Sequence, residues 1–123
     1  MKAIMMATIV AAALGGCATL GADAPVRIDH GALVDYEKGM TLYTFDRDPR
    51  AKSVCVAQCA ANWPPFMAPA AARVGGDFSV VKRDDGARQW AYKDKPLYFW
   101  IKDRKPGDQT GEGFNNLWRV ARP

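Results

Sequence analysis

The chain holds one histidine and two serines in 123 residues. A Ser–His–Asp hydrolase would have to draw on His30 with Ser53 or Ser79, and no G-x-S-x-G turn is present to carry a nucleophile. There is no C-x-x-C. That removes the usual thioredoxin-type dithiol and also the C-x-x-C-H attachment of haem. A phosphate-cradling glycine loop is missing too, since GEGF (111–114) is only a glycine pair in a loop segment. Lys plus Arg exceeds Asp plus Glu mildly, 17 against 13, and the basic clusters are as short as Lys82-Arg83 and Arg104-Lys105. No basic stripe of the kind that tracks a polyanion forms, so nucleic acid is not an expected partner. Long hydrophobic runs are lacking as well. The one apolar run, Ala3 to Leu14, is too short to span a bilayer.

That short run still carries information. Lys2 precedes it and small residues follow it, which is the layout of an export signal. Leu14-Gly15-Gly16-Cys17 resembles the lipobox of bacterial lipoproteins, in which a Leu stands three residues before the cysteine. The resemblance implies cleavage before Cys17 and lipidation of its thiol and new amino group; ordinary signal cleavage is the competing reading. The expected layout is a signal peptide over 1–16, a lipidated tether over 17–25 and one small β-rich domain over 26–123. One acyl chain holds a protein only marginally and two hold it stably. A mature lipoprotein carries three, so the expected partner is the membrane, reached through the lipid anchor. By the same resemblance, Ala18 points to the periplasmic face of the outer membrane in a Gram-negative cell.

With Cys17 lipidated, two of the three cysteines remain. An exported protein meets an oxidising compartment, and an even pair there reads as a disulfide, Cys55 to Cys59. Residues i and i+4 of a helical turn lie about 5–6 Å apart, which suits a bridge. The closed loop is short, so its stabilisation falls below the about 3 kcal/mol of a fifteen-residue loop. A second reading stays open: the C-x-x-x-C pair, with His30 and Met40 or Met67, could handle copper or exchange disulfides.

What the sequence has in plenty is aromatics, 13 Trp, Tyr and Phe, all after the tether and enough for a real core in a small domain. Two phrases stand out, TLYTFDRD (41–48) and PLYFWIKD (96–103). Sliding the chain on itself by 55 residues aligns VRIDHGA with VKRDDGA, Lys38 with Lys93, Leu42-Tyr43 with Leu97-Tyr98, Asp48 with Asp103 and Trp63 with Trp118, without a gap over 38 positions. We read an internal duplication, with one repeat over about 26–66 and the other over about 81–121. Asp29-His30-Gly31 and Asp84-Asp85-Gly86 are hairpin turn signals. FSVVK (78–82) and RQWAY (88–92) have strand composition, LYFW (97–100) reads as a third strand, and FNNLWRVA as a final one. VCVAQCAANW (54–63) is the expected helix, ended by Pro64-Pro65. The expected class is all-β, mostly antiparallel meanders with one short helix, in two pseudo-equivalent halves.

GMTLYTFDRD, the C-x-x-x-C followed by NWPPF, RDDGARQWAYKDKPLYFW and PGDQTGEGFNNLW together resemble the bacterial secreted-repeat lipoproteins, defined by a Tyr-x-(Phe/Trp/Tyr)-x-x-Asp motif. The likeness covers about residues 26–120. It implies export, a lipid anchor and tandem repeats of this unit. It implies no activity, because the family's function is unknown.

The motif residues Tyr43, Phe45, Asp48 and Tyr98, Trp100, Asp103 admit two readings. On a strand, Tyr43 and Phe45 share one face with Leu42 on the other, and the second copy repeats this. Either the aromatics are core and the acids accept backbone N–H groups in the following loop, or they line an exposed groove for a small organic ligand or a cation. Trp63 and Trp118 read as core plugs of their halves. Asp46, Asp48, Asp103 and Asp108 do not match a calcium loop, and Arg47 and Arg50 oppose a cation there. No cofactor and no catalytic residue is expected. The sequence therefore points to an envelope binding or scaffold module acting on an unknown small molecule or envelope protein, with redox or copper handling by Cys55 and Cys59 as the alternative.

Overall fold

The computed structural model describes residues 24–123. The expected signal peptide, Cys17 and most of the expected tether fall outside the described residues. In the first half, β1 (Val26–Asp29) and β2 (Ala32–Asp35) form an antiparallel hairpin. His30 and Gly31 turn it with φ of 49° and 75°, the two-residue geometry whose twist matches that of the strands. A looser turn through Gly39 leads to β3 (Tyr43–Phe45). After a charged loop comes the short helix α1 (Gln58–Asn62). In the second half, β4 (Phe78–Lys82), β5 (Arg88–Tyr92) and β6 (Lys95–Pro96) make a three-stranded meander. A 3₁₀ turn at Phe114–Asn116 then leads into β7 (Trp118–Val120). All strand pairs are antiparallel. Among the described residues no helix is long and apolar enough to cross a membrane.

Three expectations shift in detail. The helix covers 58–62 rather than 54–63. Ahead of it Ala57 sits at φ 54°, the Val54 N–H is held by Asp48 and the Cys55 carbonyl by Arg83, so those residues cannot join the helical ladder. The third strand of the second half is Lys95–Pro96, while Tyr98 makes isolated bridges to Tyr43 and to Pro65. The final segment splits, with the 3₁₀ turn taking Phe114–Asn116 before the strand starts.

The halves are joined by exchange rather than by simple packing. Strand β3 pairs with β7, Phe45 opposite Trp118. The Phe66 N–H of the first half donates to the Leu97 carbonyl and its own carbonyl accepts from the Trp90 N–H. Fifty-five residues later, the Ala121 N–H donates to Leu42 and its carbonyl accepts from Leu33. Each half thus lends its C-terminal segment to the meander of the other. These matched bonds also refine the period. It is 55 from Thr41 onward, but Leu33 corresponds to Trp90, an offset of 57, because the turns around the hairpins differ in length.

Both faces of the motif strands are core, which differs from one buried and one open face. Leu42 and Leu97 lie in one cluster with Val26, Leu33, Phe78 and Trp90. Tyr43 and Tyr98 lie in the other with Trp63, Trp100, Trp118 and Cys55. A strand pair covered on both sides can carry aliphatic and aromatic residues in alternation, each set feeding its own cluster.

Candidate functional site

The motif residues meet at the junction of the halves. Tyr43 and Tyr98 are both fully buried, at 0% exposure. Their backbones exchange two hydrogen bonds, 2.8 and 2.9 Å. Each hydroxyl then crosses to the acid of the other copy: Tyr43 donates to Asp103 Oδ2 and Tyr98 to Asp48 Oδ2, both at 2.6 Å. The remaining oxygen of each acid ties down the loop after its own strand. Asp48 Oδ1 accepts from the Val54 N–H at 2.8 Å. Asp103 Oδ1 accepts from the Thr110 N–H and hydroxyl at 3.0 and 2.6 Å.

The aromatics stack in the same paired fashion. Trp63 lies flat on Trp118, 3.8 Å between centroids and 2° between planes. Trp100 extends the stack beyond Trp63 at 4.0 Å, and Phe45 extends it beyond Trp118 at 4.4 Å. Tyr43 and Tyr98 meet the edges of Trp63 and Trp118 at 5.3 and 5.1 Å. Such ring pairs add about 0.5–1.5 kcal/mol each beyond the area they bury. Gly111 is required beside them. A Cβ there would stand 2.7 Å from the Trp63 ring and 2.9 Å from Tyr43.

The copies differ in what backs them. Behind the first acid lies Arg83, with a side chain closed to solvent. Its guanidinium donates to the Ser53 hydroxyl (2.7 Å), the Gln89 side-chain oxygen (3.0 Å) and the Cys55 carbonyl (2.9 Å). Asp85 supplies its carboxylate at 3.1 Å. Because Tyr98 gives its proton to Asp48, Ser53 is the donor in the 2.6 Å contact with the tyrosine oxygen. A line of donors therefore runs from Arg83 through Ser53 and Tyr98 to the acceptor Asp48. Behind the second acid the Gly111 N–H donates to the Tyr43 oxygen at 3.2 Å. Residue pattern did not single out Arg83, Gln89 or Gly111; Arg83 lies in the longer turn of the second hairpin, which the two-residue turn of the first does not match.

Burial is the main cause of the shifted ionisation at this junction. It raises both tyrosine hydroxyls well above their ordinary value, with the hydrogen bond to a carboxylate adding to the effect. Asp48 is also raised, by desolvation first, against the opposing pull of the Tyr98 hydroxyl, the Val54 N–H and Arg83. Tyrosines held neutral and carboxylates with every oxygen engaged clamp loops. They do not present a base or nucleophile to a substrate.

Cys55 and Cys59 are bridged, with Cα atoms 5.2 Å apart. Cys55 is buried in the aromatic cluster and Cys59 is half-buried at its edge. His30 is on an exposed turn beside Asp29 at 2.9 Å. Among the described residues no three His, Cys, Asp or Glu side chains gather as a metal would need. Asp46 faces Arg119 at 3.3 Å, and Asp108 accepts the N–H groups of Arg104 and Lys105. The acids offered for a hard metal are thus spent separately.

Open surface lies elsewhere. A groove of about 460 Å³ runs beside the point where the chain enters the fold at Ala24 and Pro25, with Tyr36, Phe66, Met67 and Trp90 among its walls. A shallower depression of about 500 Å³ joins Trp100 and Phe114 to Lys102 and Arg104.

A two-repeat all-β unit closed by paired Tyr–Asp contacts is the class these features define. A family model described as a secreted repeat of unknown function matches residues 26–67 and again 79–122, and the chain belongs to that family. Membership makes it an exported protein. No curated protein and no solved structure matches the chain.

Proposed function

We propose that this is a lipid-anchored protein of the cell envelope, held at Cys17, whose folded unit is a non-enzymatic binding or scaffold module. In a Gram-negative cell it would stand on the periplasmic face of the outer membrane. The observation that carries this reading is the reciprocal closure of the motif. Both tyrosines, both acids and the tryptophan stack are engaged in joining the halves, so none of these motif groups is poised at a substrate site. Binding then falls to the surface, and the groove beside Ala24 is the best candidate. It combines apolar walls with Arg73 and Glu37 at its margin, the mixture that small-molecule and peptide sites favour.

The anchor is tested by feeding cells a labelled fatty acid. Label should enter the wild type and be absent from Cys17→Ser, and equal labelling would sink the anchor. The binding face is tested by pull-down from envelope extracts with Met67→Glu, a change at an exposed position. Loss of a captured partner with unchanged melting supports the groove; capture that survives this change but not Phe114→Glu moves the face to the other depression. The competing redox or copper reading is tested by thiol titration and copper uptake. A bridge reduced at ordinary cellular potentials, or tight copper binding by the reduced protein, would favour it.

A further inference from the structure

We propose that the surface joining the halves is a repeat-pairing surface that also works between molecules. The partner it fits is a second copy of this chain, with halves exchanged through the connector at 68–77. This goes beyond the module reading and does not depend on the anchor.

Three observations carry it. First, the contacts at the junction come in equivalent pairs. Tyr43 reaches Asp103 as Tyr98 reaches Asp48, and Phe66 completes one meander as Ala121 completes the other. A self-complementary surface of this kind is what a symmetric dimer of single repeats would use. Second, the junction contacts just named join residues before 68 to residues after 77, so an exchanged dimer would keep each of them. Only the connector would change conformation, and exchange of identical elements is a low-cost route to association. Third, the connector is exposed apart from Ala68 and Ala72. Two of its backbone bonds are local, Ala72 N–H to Pro69 and Phe78 N–H to Gly75; the other two, Ala68 N–H to Arg88 and Lys93 N–H to Asp77, lie at its ends.

Connector length decides which form wins. Ala68 pairs with Arg88 on one side of β5, and Phe78 pairs with Tyr92 on the other. Two strand spacings across and four residue rises along put these ends about 16 Å apart. The ten peptide steps between them reach about 34 Å when extended. The natural connector closes easily within one chain. Removing residues 70–76 leaves three steps, about 10 Å, and the chain can no longer close on itself.

The test compares two full-length variants in which only this segment changes. One lacks residues 70–76; the other replaces them with Gly and Ser at unchanged length, which controls for the packing of Ala72 and the partner of Arg73. The shortened chain is expected to run as a dimer on size-exclusion chromatography. Its near-ultraviolet circular dichroism should keep the Trp63–Trp118 signal, and its unfolding midpoint should rise with protein concentration. The Gly/Ser chain should stay a monomer. A shortened chain that folds as a monomer overturns the proposal. So does one that is unfolded or aggregated while the Gly/Ser chain folds.

Discussion

At the scale of single residues, the decisive fact is where two hydroxyl protons go. Tyr43→Phe and Tyr98→Phe each keep the ring and remove a donor to a carboxylate. Each is expected to cost about 1–3 kcal/mol, the range for leaving a buried acceptor short of a charge-assisted bond. Chemical denaturation measures it, and a change within about 0.5 kcal/mol would show that the contacts are incidental. Tyr98→Phe should be the worse of the two, since it also leaves the buried Ser53 hydroxyl without its 2.6 Å acceptor, whereas Tyr43→Phe releases only the longer 3.2 Å contact from the Gly111 N–H. The same hydroxyls set an alkaline limit. Their folded values lie above the unfolded value of about 10, so the stability they contribute is complete below that pH. It is lost as the pH rises past it, because the unfolded chain releases protons that the folded one retains. Stability measured against pH should fall above about pH 10, and less steeply in the double Phe variant. Asp48 runs against the usual sense for a paired carboxylate. Raised in the fold by desolvation, its ionised form opposes folding near neutrality, and mild acid relieves that penalty rather than creating one.

At the scale of elements, short pieces are held by what they touch. Helix α1 has five residues, no side-chain cap and no buried residue. A helix that short is not stable alone. The bridge to Cys55 and the Trp63 N–H bond to Cys59 at 2.8 Å secure it locally. Replacing both cysteines, Cys55→Ala with Cys59→Ala, should lower stability by less than about 3 kcal/mol and leave the fold in place. Thermal melting tests this, and a chain that no longer folds would mean the bridge holds the whole domain. The hairpin turns were legible because Asp and Gly announce a turn, and Gly31 and Gly86 do take positive φ, although only the His30-Gly31 turn is a two-residue one. The exact start of α1 was not, since it depends on Asp48 and Arg83 holding backbone groups from 6 and 28 residues away. Composition overstates the strand at 97–100 for a similar reason. LYFW has strand composition, yet Tyr98 spends its backbone bonds on Tyr43 rather than in a local ladder.

At the scale of the whole molecule, the exchange of C-terminal segments makes two repeats one unit. Neither core cluster belongs to one half: Leu33 and Trp90 share one, Tyr43 and Tyr98 the other. Unfolding followed by tryptophan fluorescence and by amide exchange in β1–β2 and β4–β5 should therefore give coincident transitions. Separate transitions for the halves would show that each is stable alone and would weaken the exchanged arrangement as the source of cooperativity.

The sequence by itself determined the class and the duplication, and it marked Cys55 and Cys59 as a pair suited to a disulfide while leaving a redox or copper role open. All of these rest on periodicity, turn chemistry and residue type, which are local properties. What it could not decide was whether Tyr43 and Asp48 serve a ligand or the fold. That required knowing that each tyrosine's acid comes from the other copy, 50 or 60 residues away. A repeated motif looks the same whether its members face solvent or one another. Only tertiary structure, by burying both rings and engaging both acids, assigns the motif to joining the halves.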